Sequence, residues 1–437
     1  MSVDVPVRLA PPPRPAWRRA LAGRGTTTPE RLRRVAAVLV VGCLATALMS
    51  VLGGATRTSA IGDARTRISA LTADSAEIYR SLADADAMAT SGFVSGGREP
   101  TAVRARYDAD IARAADRLAD AAGRLPEQGP IATIAAQLPV YTALVETART
   151  LNREGLPLGQ AYLGNASGLM RTTILPAADE LRRTQVAALA DAQRRAGAFP
   201  WAVLLLGVAT LAGVVDVSLG ERRRTNRALS VGLVVGAGAL LAALVWWLTA
   251  VTAADGRLAT AQRHGDAAAA LDEVRTAVLQ ARTGESLTLV ARSAGFASDA
   301  DVTAQLDRVV GPDGTGGLLA RADGGAPGSA AGVAGLYGAV GDWRDAHRRV
   351  RELDDGGRYR DAVASVVTTV PGGSGAAFEQ LDGALARAID AERAAFGDAM
   401  DAAGRSLTGL RAGPALLALL AAAAVASGLG RRIEEYR

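Results

Sequence analysis

Lysine is missing from all 437 residues, cysteine occurs once, histidine twice, and aromatic side chains make up only 4% of the chain. Each scarcity closes off a class of chemistry. A single thiol, Cys43, permits no intramolecular disulfide, and His264 and His347 stand far apart. There is no CxxC, HExxH or His/Cys cluster to hold a metal. A GxxxxGK[ST] phosphate loop, a GxGxxG turn after a strand and a GxSxG elbow are missing as well. Neither an enzyme nor a cofactor is therefore expected. The net charge of +5 rests on arginine alone. Those arginines sit beside apolar runs and do not interleave with aromatics, so no nucleic-acid partner is expected. Strand-like β-branched and aromatic runs are scarce, whereas alanine, the best helix former, abounds. The expected fold class is an all-α membrane protein with four transmembrane helices and two tandem extracytoplasmic four-helix-bundle domains.

Four segments are apolar enough to cross about 30 Å of hydrocarbon, which takes about 20 helical residues. They lie at 35–55, 199–219, 229–251 and 412–429. Arg31, Arg33 and Arg34 precede the first, Arg222, Arg223, Arg224 and Arg227 fill the turn between the second and third, and Arg431 and Arg432 follow the fourth. Basic flanks face the cytoplasm. The reading is thus a multi-pass protein of the cell membrane, with the basic tail 1–34, the turn 220–228 and the tail 430–437 inside. The long segments 56–198 and 252–411 lie outside. Trp201, Trp246 and Trp247 fit an interfacial aromatic belt. The long Pro/Arg-rich leader and full-length first run read as an anchor, not a cleaved signal peptide. Val40–Cys43 resembles a lipobox, but the apolar run continues past the cysteine, so Cys43 reads as an inert small apolar residue. The basic leader could meet membrane lipid or a cytoplasmic partner.

Span, outer segment, span occurs twice. The strings D-A-Q-R (Asp191–Arg194) and D-A-E-R (Asp390–Arg393) close matching helical stretches, each entered through a proline, Pro176 and Pro371. Glycine and proline breaks divide the first outer segment into helices near 57–95, 100–123, 131–154 and 157–198. The second divides near 253–294, 299–310, 330–355 and 358–411, with Gly311–Gly328 as a long loop. A heptad runs through Ile61, Ile68, Ser75, Leu82 and Ala89, and through Ala64, Leu71, Ile78, Ala85 and Gly92, as an antiparallel bundle requires. The long first and last helices of each outer segment are expected to run straight into their spans.

Five polar residues stand out as candidate ligand or partner sites. Glu285 falls on the seam continued from Leu271, Val274, Val278 and Ala281, where an unpaired carboxylate is expensive. Arg282 lies one turn before it, and Asp84 and Asp86 sit at comparable distance from their own span. The favoured bland alternative is a stutter that turns Glu285 to water, or an ordinary intrahelical ion pair with Arg282. Tyr79 reads more readily as a bundle-rim aromatic than as a ligand clamp.

The stretches Ile78–Pro100 and Arg106–Leu118, with the four-span plan and the overall length, resemble actinobacterial membrane proteins of the GlnX type. That resemblance implies amino-acid sensing. An extracytoplasmic solute-binding lipoprotein of the GlnH type would pass its ligand state to this chain, which signals to the cytoplasmic Ser/Thr kinase PknG. A homodimer is also compatible with the pattern. The outer bundles resemble the four-helix sensor domains of chemoreceptors, although no signalling segment follows any span. A non-signalling structural or scaffolding protein of the cell envelope is the competing reading. Transport fits less well, because the spans lack midplane charges and broken helices.

Overall fold

The structure, a computed structural model, describes residues 28–63, 66, 69–95, 99–125, 129–197, 201–225, 230–291, 299–323, 330–410 and 412–434. Among these residues the elements are helical. In chain order they are α1 (Thr28–Asp63), α2 (Ser69–Val94), α3 (Thr101–Ala122), α4 (Gly129–Arg153), α5 (Leu158–Leu169), a π-helical turn (Met170–Ile174), and α6 (Leu175–Gly197). There follow α7 (Trp201–Thr225), α8 (Val231–Ala291), α9 (Asp299–Val310), α10 (Gly317–Asp323), α11 (Ala330–Asp355), α12 (Tyr359–Val367), α13 (Ser374–Ser406) and α14 (Gly413–Glu434). They form two units. One comprises 1–59, 198–254 and 404–437; the other comprises 60–197 and 255–403.

The first unit holds the apolar runs. Leu32–Asp63, Trp201–Gly220, the apolar beginning of α8, and Gly413–Arg431 are long and apolar enough to cross a membrane. Leu39, Cys43, Val214, Leu240, Ala418 and Val425 pack at their centre. Val41, Leu48, Leu205, Val234, Leu241 and Leu416 point outward and stay exposed. So broad an apolar exterior suits lipid better than water. Tight approach of α8 to α14 depends on glycine, since a Cβ on Gly232 would fall 2.5 Å from the Ala424 carbonyl oxygen. Small residues at such crossings let helix backbones meet. A fifth helix, α4, also meets the length and apolarity criteria. It belongs to the second unit, where Ile131, Ile134, Tyr141 and Val145 are buried.

In the second unit the two outer segments share one apolar core. Ile78, Leu82, Leu118 and Ile134 of the first join Leu271, Val274, Leu306 and Phe378 of the second. The heptad positions Leu71, Ser75, Ile78, Leu82, Ala85 and Ala89 are all buried, so the 3.5-residue seam is real. Ala64 and Ile68 lie outside the described residues.

Several boundaries differ from the sequence reading. The loop expected at 311–328 contains α10, whose Leu318 and Leu319 are buried. Pro371 does break the helix, because Thr368–Gly373 separate α12 from α13. Pro176 does not. The missing N–H and ring bulk of a proline are accommodated by the wider π turn just before it, in which Leu175 N–H reaches the Met170 carbonyl. Of the four helices expected to run into spans, α8 does so without interruption. The last does not: Leu407–Leu410 form a turn between α13 and α14, with Gly409 at φ +79°, a conformation that glycine adopts freely. The first helix also continues from its span, α1 covering Thr28–Asp63 without a break, and the junction before α7 includes residues outside those described.

Candidate functional site

The second unit buries an unusual amount of charge for a helical core. Its core is built mainly from alanine and aliphatic residues, with buried carboxylates on both α2 and α8. Asp86 and Glu285 are separated by the same spacing as the two D-A-[QE]-R strings, so they occupy corresponding turns of the repeat.

Asp86, on α2, is 2% exposed. The Ser167 hydroxyl of α5 donates to its two oxygens at 2.8 and 2.9 Å, and the Tyr141 hydroxyl of α4 donates at 3.2 Å. Burial pushes its pKa up to about 6, against the pull of Ser167, Arg171 and Tyr141. The cluster ties three helices of the first segment together.

Glu285, on α8, is 1% exposed, so the seam position holds and the carboxylate does not turn to water. Arg282 donates to it at 2.6 Å, the Ser374 hydroxyl at 2.6 Å, and His347 Nδ1 lies 2.9 Å away. The intrahelical pair is present, but it is one part of a larger set. The other Arg282 nitrogen donates to the Val366 carbonyl at 2.6 Å, satisfying the end of α12, and its guanidinium lies 5.1 Å above the Phe378 ring. His347 Nε2 reaches Asp299 at 2.9 Å, and Trp343 Nε1 donates to Ser374 at 3.0 Å. Burial alone would raise the Glu285 pKa, but the His347 hydrogen bond and the Arg282 charge hold it below the usual range. Burial works against the charged form of His347, yet Glu285 and Asp299 together raise its pKa. Removing one member of such a set strands a buried charge, at a cost of about 3–5 kcal/mol.

Asp84 leads across the segments. It accepts from Arg106 Nε of α3 at 2.8 Å, while the same guanidinium donates to Glu379 at 2.8 Å and to Asp382 at 2.9 Å, both on α13. Asp382 also takes two bonds from Arg275 of α8, at 2.6 and 2.9 Å. Burial opposes ionisation of Asp382, but Arg275 and then Arg106 keep its pKa depressed. Nearby, Ser91 and Ser286 pair across the segments at 3.1 Å.

Tyr79 is buried, and its phenol oxygen accepts from the Gln280 amide at 3.0 Å, again across the segments. It borders a cavity of about 530 Å³. The five sequence candidates therefore do not converge on one point: Arg282 and Glu285 share a cluster, and Asp84, Asp86 and Tyr79 each enter a different one. Sequence reasoning passed over Arg106, Arg275, Asp382, His347, Ser167 and Ser374. The seam spacing pointed to Glu285 with Arg282, and the repeat spacing links Asp86 with Glu285. Among the described residues, no group of three or more His, Cys, Asp or Glu side chains is placed to hold a metal ion.

Residues 60–194 match a family model described as an actinobacterial sensor domain. That stretch is nearly the whole first part of the second unit and includes Tyr79, Asp84 and Asp86. No curated protein and no solved structure matches the chain.

Proposed function

We propose that this chain relays extracellular amino-acid availability, read by an extracytoplasmic solute-binding lipoprotein, to a cytoplasmic Ser/Thr kinase. It acts by binding and displacement, without catalysis. The observation that carries this reading is α8, one helix of 61 residues whose beginning is an apolar span and whose end holds Arg282 and Glu285. A helix passes displacement along its axis, and packed ion pairs have discrete alternative arrangements. The sensor-domain match supports the sensing role, and the likeness to GlnX-type proteins supports the identity of the partners.

Inserting Gly-Gly-Gly after Asp255 tests the relay. Each glycine costs a helix interior about 1 kcal/mol, on the scale of the roughly 1–3 kcal/mol of typical allosteric couplings. Amino-acid-dependent phosphorylation of the kinase substrate should disappear, while membrane level and lipoprotein binding persist. An unchanged response would make α8 a tether and leave the scaffolding reading standing. Both termini and the 220–228 turn are proposed to be cytoplasmic. In intact cells, a membrane-impermeant maleimide should label Gly129→Cys and Thr315→Cys, whereas labelling of Thr225→Cys would reverse the orientation.

A further inference from the structure

The cavity beside Tyr79 is not used by any of the buried ionic clusters, and its volume of about 530 Å³ falls in the range typical of small-molecule sites. Its wall includes Tyr79 of α2, Arg171 of the π turn, Asp179 of α6, Gln280 and Thr283 of α8, and Asp301 of α9. Both outer segments thus contribute.

Three of these groups have hydrogen-bonding capacity to spare. Tyr79 is 6% exposed, and its oxygen is occupied by the Gln280 N–H, so its own proton has no acceptor among the described residues. Thr283 is 4% exposed, and its hydroxyl has no hydrogen bond among the described residues. Arg171 donates through Nε to the Ser167 carbonyl at 3.3 Å, and its terminal nitrogens meet no carboxylate among the described residues. The π turn places that guanidinium at the cavity, and such turns are frequent at functional positions. Two hydroxyl donors and a forked cation are what a carboxylate needs. Asp179 on the same wall is paired with Arg182 and Arg183, and Asp301 adds a further carboxylate there.

We propose that this cavity binds a free amino acid directly, with its carboxylate on Arg171 and the Tyr79 and Thr283 hydroxyls as further donors. A single solute would then touch both outer segments. Its anchor would also adjoin the Asp86 cluster, because Arg171 bonds the backbone of the same Ser167 whose hydroxyl bonds Asp86. The proposal deepens the sensor reading and rests on it only for the choice of solute.

Calorimetric titration of the full chain in lipid nanodiscs tests it. The titrants are each of the twenty proteinogenic amino acids singly at millimolar concentration, with acetate and methylamine as single-group fragments. At least one amino acid should bind at one site per chain. Arg171→Gln should weaken that binding by about tenfold or more, and Thr283→Val and Tyr79→Phe should each weaken it severalfold. Arg171 is exposed, so helix content and thermal stability of its variant should match the parent. Absence of binding by all twenty, or equal binding by the parent and all three variants, would overturn the proposal. Binding of methylamine without acetate would overturn the carboxylate assignment. A lost kinase response with this binding intact would count against the relay alone; a persistent response with no direct binding would count against this site alone.

Discussion

Asp110, on α3, is 2% exposed, and one of its carboxylate oxygens accepts from Arg113 at 2.5 Å. Burial, followed by the Asp84 charge, pushes the Asp110 pKa up to about 7, while Arg113 and Arg106 pull the other way. A carboxyl that is harder to ionise in the folded state binds its proton more tightly there than in the unfolded chain. The stability it contributes is complete below about pH 4, is lost as pH rises towards 7, and is absent above. Asp110→Asn keeps a hydrogen-bond donor and removes the titration. Relative to the parent, the variant should therefore be more thermostable at pH 8 than at pH 5, as followed by helical circular dichroism of the full chain. The comparison cancels the other titrations, of which His347, with its raised pKa, runs in the same direction, whereas Glu285 and Asp382, with lowered ones, run the opposite way. An identical offset at both pH values would show that Asp110 does not titrate between them.

Gly232 and Gly238 lie in the same apolar stretch of α8 but meet different surroundings. A Cβ at Gly232 would strike α14, whereas one at Gly238 would find nothing within 4 Å. Gly238→Ala should stabilise the chain by roughly 0.5–1 kcal/mol through helix propensity. Gly232→Ala should destabilise it by about 1–3 kcal/mol, because backbone cannot yield as a flexible side chain does. Thermal denaturation in detergent reads both, and shifts of the same sign would mean that α8 and α14 do not cross at Gly232. Element by element, much was legible in sequence: apolar runs marked the spans, and heptad spacing marked the α2 seam. Local rules failed where tertiary packing decided. Leu318 and Leu319 find a core that makes a short helix worth forming in a Gly-rich stretch, and Pro176 is tolerated because a π turn absorbs it. Spacing placed Glu285 on the seam, and the structure buries it there rather than turning it to water. Its partners His347 and Ser374, like the Arg106 bridge to Asp382, come from distant elements whose meeting no spacing rule encodes.

At the scale of the molecule, the sequence shows a duplication and the structure shows its merger. The tandem segments could have remained separate bundles. Instead Tyr141 and Leu118 of one share a core with Trp343 and Leu306 of the other. Arg106 divides its guanidinium between Asp84 of its own segment and two acids of the other. Each half alone would expose part of that core and leave Asp382 with one arginine fewer. Burying each large apolar side chain contributes about 1.5–3 kcal/mol, so a solitary half forfeits much of its stability. The covalent link between the halves, in contrast, runs only through the basic turn at 220–228. A gene nicked there should thus complement itself in trans. Residues 1–225 and 226–437, expressed together as two polypeptides, should co-purify and accumulate in the membrane. Either fragment alone should be degraded, and Arg106→Ala should weaken the reunion. Stable accumulation of each fragment without the other would mean that the ancestral repeat units have kept their independence, and that the shared core is dispensable to both.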